Sequence, residues 1–399
     1  MENGILITRH EGYLYSARIE KGEFAQFQLQ KEGAKQLLGN IYLGKVQNIV
    51  KNIRAAFVEI EAGMVCYLPL TEKMPPICAK GVAAKTGNIA VGDEILVQVA
   101  TERIKSKPPT LTTYLSLTGR HLVLTRGKTQ ISLSTKIQGK ELREQLKEAM
   151  EEFKNEEYGF IIRTNAANVK PEVLREEAKR LIADYELVKQ QGIHQNRFSL
   201  VLEAPKGYLA EVRDGYEGVV EQILTDDEKV YESIKDYLEK YQKEDLDKLE
   251  FYQEEGVSLA ALYNLSAGIK RVTAKKVWLK SGAGIVIEPT ESLTAIDVNT
   301  GKAIKGRKNV EETFFKINCE AAVEIAKQLR LRNLSGIILI DFIDMKDKEK
   351  QQELMELLRR EVEKDPAKTI VMDMTALGLV EVTRKRLRQP LHEVLGKSE

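Results

Sequence analysis

A chain of 399 residues is long enough for roughly two to four domains of ordinary size. Its composition, 43% hydrophobic and 30% charged with a formal net charge of +1, is that of a globular protein and leaves no strong overall field to attract a polyanion. No apolar run approaches the roughly 18 residues a spanning helix needs, and the N-terminus lacks the basic and apolar regions of a secretory signal, so a cytoplasmic location is expected.

Residues 1–36 read as short strands at 4–8, 13–19 and 24–29 separated by turns, part of a sheet too small to be a domain. Between Asn40 and Arg120 the pattern changes to β-rich runs at 41–50, 55–60, 64–70, 94–100 and 111–117. Five such runs suggest a small barrel, with the oligonucleotide-binding OB type a natural candidate. Pro75-Pro76 and Pro108-Pro109 punctuate its loops. Residues 1–36 need sheet partners that these runs do not offer, so the barrel reads as an insertion.

Gly39-Asn40-Ile41-Tyr42-Leu43-Gly44-Lys45 has the spacing of a nucleotide-binding phosphate loop. However, Val46 follows where a hydroxyl must hold Mg2+, and Ile41-Tyr42-Leu43 reads as strand, which excludes that reading. In Ala55-Ala56-Phe57-Val58-Glu59-Ile60-Glu61, alternation places Phe57 on the polar face with Glu59 and Glu61. An aromatic there is a stacking platform for single-stranded bases, with Tyr67 its partner and Lys107 a phosphate contact. The same pattern also accommodates a Phe57 that packs beneath a loop.

Farther along, 121–125 and 129–134 read as strands, 140–154 as a charged helix and 159–164 as a strand. Pro171 opens a helix to about 190, in which Val173, Leu174, Ala178, Leu181, Ile182, Tyr185 and Val188 recur at helical spacing. The strand before it ends in Arg163-Thr164, a planar donor fork and a hydroxyl suited to phosphate oxygens; a surface ion pair would use the arginine equally well. From Arg197 to about Ser266, strands at 198–202 and 218–223 precede charged helices, including 245–255. Beyond Arg271, apolar runs at 285–287, 293–296, 337–340 and 369–372, with helices between the later ones, read as an α/β unit.

Two of those runs end in aspartate: Leu293-Thr294-Ala295-Ile296-Asp297 and Ile337-Ile338-Leu339-Ile340-Asp341. Continuous apolar runs are the pattern of parallel strands buried on both faces. Between them Val310, Phe314, Ile317, Ala321, Ile325 and Leu329 form one helical stripe, with Arg330, Arg332, Asn333 and Gly336 as end signals. A right-handed strand–helix–strand crossover makes the strands parallel and puts both aspartates at carboxyl ends, where such sheets place ligands. Adjacent strands lie about 4.8 Å apart, so the two carboxylates can share one divalent ion, and Asn299 on the same face can orient Asp297. Lys302, Lys305, Arg307 and Lys308 follow in a glycine-hinged basic loop, and Asp344 is a weaker candidate, equally a helix cap. These residues predict a carboxylate-bound Mg2+ acting on a phosphodiester; the competing reading makes both aspartates turn formers. Cys66, Cys78 and Cys319, and His10, His121, His194 and His392, are too scattered for a disulfide framework, a Cys zinc site or an HExxH centre.

Together these residues resemble the bacterial ribonuclease E/G family of endoribonucleases. The matching segments are Ala295-Ile296-Asp297-Val298-Asn299-Thr300-Gly301-Lys302, Gly336-Ile337-Ile338-Leu339-Ile340-Asp341-Phe342-Ile343-Asp344-Met345, Ala55-Ala56-Phe57-Val58 with Tyr67-Leu68-Pro69-Leu70, Leu111-Thr112-Thr113-Tyr114-Leu115-Ser116-Leu117, and Ile162-Arg163-Thr164. The resemblance implies an α+β multidomain fold. An RNase H-like subdomain (1–36 and 208–271) would be split around an inserted OB-fold RNA-binding domain (37–119) and a 5′-sensor region (120–207), followed by an α/β deoxyribonuclease-I-like catalytic subdomain (272–399).

It further implies that Asp297 and Asp341 hold Mg2+, with Mn2+ able to substitute, and that Asn299 positions Asp297. By the same mapping Arg163 and Thr164 bind a 5′-monophosphate with backbone from Val123 and with Lys368 nearby, and Phe57, Tyr67, Lys107 and Lys302 contact RNA. The implied activity is cleavage of single-stranded RNA in rRNA processing or mRNA decay, leaving 5′-phosphate and 3′-hydroxyl ends. The family often carries a CPxC motif after the catalytic subdomain that shares zinc between chains. No such cysteines follow Arg384 here, so zinc is not expected and a homodimer, if formed, is not zinc-linked. Tyr67 stands where a Phe is common, which preserves stacking. Two other readings remain open at this point: a non-catalytic RNA- or ribosome-binding protein, and a metal enzyme acting on another phosphodiester such as DNA.

Overall fold

In the computed structural model, which describes all residues except 72, 81–87, 104–106, 216–219, 255, 304–308, 387 and 397–399, the chain divides into two units. One is Met1–Ala34 with Gly218–Glu399, and the other is Lys35–Glu217.

The first unit begins with the alternating strands Gly4–His10, Tyr13–Glu20 and Glu23–Lys31, an antiparallel meander. Its two-residue turns, Glu11-Gly12 and Lys21-Gly22, take positive φ at both positions, the geometry that matches the right-handed twist of a hairpin. The outer side of Gly4–His10 is completed by Gln222–Thr225, parallel to it and more than 200 residues later, and that strand pairs with Leu249–Phe251. The long detour between Lys31 and Gln222 is therefore an insertion into this five-stranded sheet, as the sequence requires. The helix expected over 245–255 is absent. A 3-10 turn at Lys243–Lys248 leads into the strand Leu249–Phe251, because Leu249 is buried and the Phe251 ring packs edge-on against Tyr231, 5.4 Å between centroids.

In the second unit, Ile41–Val50, Ala55–Glu61, Met64–Pro69, Thr110–Thr112 and Glu94–Thr101 pair in that order, and Ile41–Val50 pairs again with Glu94–Thr101 to close a five-stranded, OB-like barrel. Its interior holds Val46, Ala56, Val58, Ile60, Cys66, Leu68, Ile95, Val97 and Leu111. The run expected at 111–117 is split. Thr110–Thr112 belongs to the barrel, whereas Ser116–Thr118 joins a four-stranded sheet with Leu122–Arg126, Tyr158–Ile162 and Ile131–Leu133. The helix Pro171–Gly192 packs on this second sheet through Leu174, Ala178, Leu181, Tyr185 and Val188. The charged helix expected to 154 ends at Glu148 and gives way to a 3-10 turn at Glu151–Phe153.

The last sheet, in the first unit, has six strands in the order Lys276–Trp278, Gly284–Pro289, Leu293–Asn299, Gly336–Asp341, Val380–Arg384 and Thr369–Met374. Only Leu293–Asn299 and Gly336–Asp341 are parallel to each other, joined by the helix Val310–Leu331. Asn309 caps that helix by accepting from the Glu312 N–H, and Asn333 ends it in the left-handed region at φ 50°. The expectation of strands buried on both faces is corrected here. One face packs on Val310–Leu331 and on Lys348–Val362 through Ile285, Ile287, Ile296, Val298, Ile338, Ile340, Val380 and Val382. The other carries Asp297, Asn299, Ile337, Asp341, Glu381 and Thr383, all exposed. The sheet is mixed, and antiparallel sheets tolerate one solvated face. A buried bidentate ion pair locks the far edge: Arg384 donates to both carboxylate oxygens of Asp365 at 2.7 and 3.1 Å and also to the Asn333 side chain at 2.9 Å.

Candidate functional site

Alternation along Leu293–Asn299 buries Thr294, Ile296 and Val298 and leaves Asp297 and Asn299 on the open face. In the neighbouring strand Ile338 and Ile340 are buried and Asp341 is open. The register pairs Asp297 directly with Asp341. Two carboxylates thus stand side by side at the ends of parallel strands, as the two aspartate-terminated runs predict. Asn299 donates its amide to the Asp297 carboxylate, fixing that side chain from within its own strand. Partial burial and the charges of Asp297 and Asp344 push the Asp341 carboxyl above its ordinary pKa, the mark of acids crowded without a counter-charge.

The residues after Asp341 are held from beneath. Asn318, wholly buried in the crossover helix, donates to the Ile343 carbonyl at 2.8 Å and accepts from the Ile343 N–H at 3.0 Å. Glu311, in the first turn of the same helix, accepts from the Lys346 and Asp347 N–H groups at 2.7 and 3.2 Å. Sequence reading missed Asn318, although an asparagine beside the apolar stripe between Ile317 and Ala321 was a visible signal. Lys302 is exposed in the turn after Asn299, and Lys305, Arg307 and Lys308 lie outside the described residues.

Magnesium typically takes one or two protein carboxylates and completes its shell with water and substrate phosphates. Asp297 and Asp341 supply that number at the spacing of adjacent strands, and a cation between them would relieve the raised pKa of Asp341. Among the described residues no group of three or more His, Cys, Asp and Glu is placed to hold a metal.

In the second unit, Phe57 and Tyr67 are register partners on adjacent barrel strands, with their rings edge-on at 6.2 Å between centroids. Ala56 and Val58 face the interior, leaving Phe57 half-buried on the outer surface beside Tyr67. The Tyr67 N–H donates to the Pro109 carbonyl at 2.9 Å, and Lys107 is exposed two residues earlier on the same segment.

Arg163 lies one residue past the strand Tyr158–Ile162. Its guanidinium donates to the Gly119 and Arg120 carbonyls at 2.8 and 3.3 Å and pairs with Asp214 at 2.8 Å. Burial acts to raise the Asp214 pKa, but Arg213 and Arg163 outweigh it and pull it down to about 2. The Thr164 hydroxyl bonds that of Ser134 at 3.0 Å. Val123 pairs with both Ile161 and Thr118, so its backbone is flanked by strands on either side. Lys368 is exposed and belongs to the first unit. The Gly119–Leu122 segment that carries the arginine's acceptors is itself pinned. Buried Glu177 accepts from the His121 and Leu122 N–H groups at 3.0 and 3.1 Å, and its other oxygen meets the His121 ring at 2.8 Å. Burial opposes ionisation of Glu177, yet these partners hold its pKa below the ordinary value. Neither Glu177 nor Asp214 was read from the sequence; a glutamate in the buried phase of helix Pro171–Gly192, between Leu174 and Leu181, was the available signal for the first.

Comparison with known proteins identifies the family. Residues 116–387, which contain the acid pair and Arg163, match the model of the ribonuclease E/G family. Ribonuclease G of Escherichia coli strain K12 is 34% identical over 388 residues, 95% of this chain and 79% of that protein. Ribonuclease G of Haemophilus influenzae is 34% identical over 387 residues, 95% of this chain and 78% of that protein. Ribonuclease E of Synechocystis is 34% identical over 366 residues, 91% of this chain but 54% of the longer relative. The chain belongs to the ribonuclease E/G family of endoribonucleases.

Proposed function

We propose that this protein is a Mg2+-dependent endoribonuclease that cuts single-stranded RNA in rRNA processing or mRNA decay, leaving 5′-phosphate and 3′-hydroxyl ends. The observation that carries the reading is the direct register pairing of Asp297 with Asp341 on an open sheet face, with Asn299 bonded to Asp297. When bound there, Mg2+ or Mn2+ offsets charge on the scissile phosphate and lowers the pKa of a water. Asp297 and Asp341 provide the anionic seat, Asn299 keeps the Asp297 carboxylate in one rotamer, and Asn318 fixes the backbone that follows Asp341. Phe57 and Tyr67 offer stacking surface to bases, while Lys107 and Lys302 offer charge to phosphates. Arg163 and Thr164, with backbone near Val123, are assigned to a 5′-terminal monophosphate.

The subdomain assignment follows the same reading: RNase H-like for 1–36 and 208–271, OB-fold for 37–119, 5′-sensor for 120–207 and deoxyribonuclease-I-like for 272–399. The cytoplasm is the proposed location. The test is incubation of an end-labelled, A/U-rich RNA and its DNA counterpart with Mg2+ or EDTA, followed by analysis of product ends. Internal cutting of RNA alone, only with Mg2+, and with 5′-phosphate on the downstream product is the expected result. Tight, salt-sensitive binding without cutting would replace the proposal with a binding protein, and equal cutting of DNA would replace the substrate.

A further inference from the structure

The open face of the catalytic sheet extends two strands beyond Asp297 to an edge that the acid pair does not use. The register runs Lys276 to Val286 to Asp297 to Asp341 in one row, and Trp278 to Gly284 to Asn299 in the next. Side chains in register across a sheet share a face, so Lys276 and Trp278 stand on the same surface as the two aspartates, about 10 Å from Asp297 and Asn299. Trp278 is the protein's single tryptophan, and it is 65% exposed. The Lys276 ammonium lies 3.9 Å from the ring centroid, holding the indole by a cation–π contact.

Gly284 sits between the tryptophan and Asn299 in that row and is covered by its neighbours' side chains. A β-carbon there would lie 3.2 Å from Cε of Lys276 and 3.6 Å from Cε3 of Trp278, so both side chains lean over the glycine toward the acid pair. Isolated exposed apolar residues are ordinary. This one differs in being an aromatic plate, fixed by a cation, on the sheet row that runs through Gly284 to Asn299 beside the acid pair. Aromatic surface combined with positive charge is what binds single-stranded nucleic acid without sequence readout.

We propose that Trp278, held by Lys276, is a stacking platform for a base of the single-stranded RNA flanking the scissile phosphate. The proposal rests on the assignment of Asp297 and Asp341 as the cleavage site. The base stacks on the exposed indole, and Lys276 faces the adjoining phosphate.

Because Trp278 is the only tryptophan, its emission reports the contact directly in the full-length protein. Titration of a single-stranded RNA oligonucleotide in EDTA should change the emission saturably, in step with binding followed by anisotropy. With Mg2+, Trp278→Ala should lower kcat/KM about tenfold and Trp278→Phe should recover most of that loss. An abasic nucleotide at the stacked position should reproduce the loss in the wild type and add nothing to Trp278→Ala. RNA that binds with unchanged emission, or an abasic penalty of equal size in both proteins, would overturn the platform while leaving Mg2+-dependent cleavage intact. Emission that responds to protein dilution and not to RNA would overturn it in favour of a second copy covering the edge. Absence of Mg2+-dependent cutting by the wild type would instead remove the underlying site assignment.

Discussion

Asp341 carries a charge conflict that a bound cation would resolve. Its carboxyl is pushed above the ordinary pKa by partial burial and by Asp297 and Asp344. A folded-state pKa raised in this way means that the native state holds the proton more tightly than the unfolded chain. The associated stability is fully present below the unfolded pKa and is lost as pH rises through the folded one. In metal-free buffer at neutral pH, Asp341→Asn should therefore raise Tm, by about 1–2 °C given the exposure of the site, while abolishing cleavage. Thermal melts with EDTA and with Mg2+ check this: the gain should vanish when the wild type is given the ion, and a lower Tm for the variant in both buffers would contradict the repulsion. Asp214 raises the opposite question, because it already neutralises Arg163 and stays ionised down to pH about 2. A terminal phosphate bound by Arg163, as proposed, would have to compete with it. Asp214→Asn should tighten binding of 5′-monophosphorylated RNA about threefold to tenfold relative to 5′-hydroxyl RNA, measured as paired Kd values. An equal change for both ends would mean that Arg163 does not meet the terminus.

At the level of elements, the crossover helix does more than connect the two aspartate strands. Asn318 satisfies both backbone groups of Ile343 from a fully buried position, and Glu311 gathers the Lys346 and Asp347 N–H groups. The backbone after Asp341 is thus fixed by the same buried helix face that forms the core. Asn318→Leu strands a buried donor and acceptor and should cost about 2–4 kcal/mol of stability. It should also lower kcat about tenfold while RNA affinity changes little, because the strand end shifts and not the binding surface. Denaturant melts with kcat and Kd measured on the same preparation test it, and a stable variant with normal turnover would show that the helix does not position the site. The same elements show what sequence could convey. Leu293–Asn299 and Gly336–Asp341 were legible because each ends an apolar run in a charge and the helix between them has strong period and caps. The Lys276–Trp278 and Val380–Arg384 strands were not, since three to five residues with mixed polarity carry little periodic signal. The 245–255 segment misled for a related reason: its charges resemble a solvated helix, while packing of Leu249 and Phe251 decides for strand.

Across the whole molecule, the insertion was legible because three strands cannot close a sheet alone, and the strand that completes them arrives at Gln222. The barrel was legible from the spacing of its runs, but the break at Thr113–Leu115, where one apolar stretch serves two sheets, is set by long-range pairing that local pattern does not encode. The acid pair was legible as residues and as side-by-side placement on parallel strands; its one-sided exposure was not, because the number of strands and the uncovered face depend on partners far away in sequence. Arg163 was legible as a candidate, whereas its engagement by Asp214 and the Glu177 brace beneath it were visible only in three dimensions. The central claim is that the paired carboxylates perform the chemistry and not the binding. Single-turnover cleavage of a 5′-monophosphorylated single-stranded RNA, with Kd measured in parallel for wild type, Asp297→Asn and Asp341→Asn, tests it most directly. Rates should fall by at least about a hundredfold in both variants with Kd nearly unchanged. Rates and affinities that fall together would contradict it and make the aspartates part of the RNA-binding architecture.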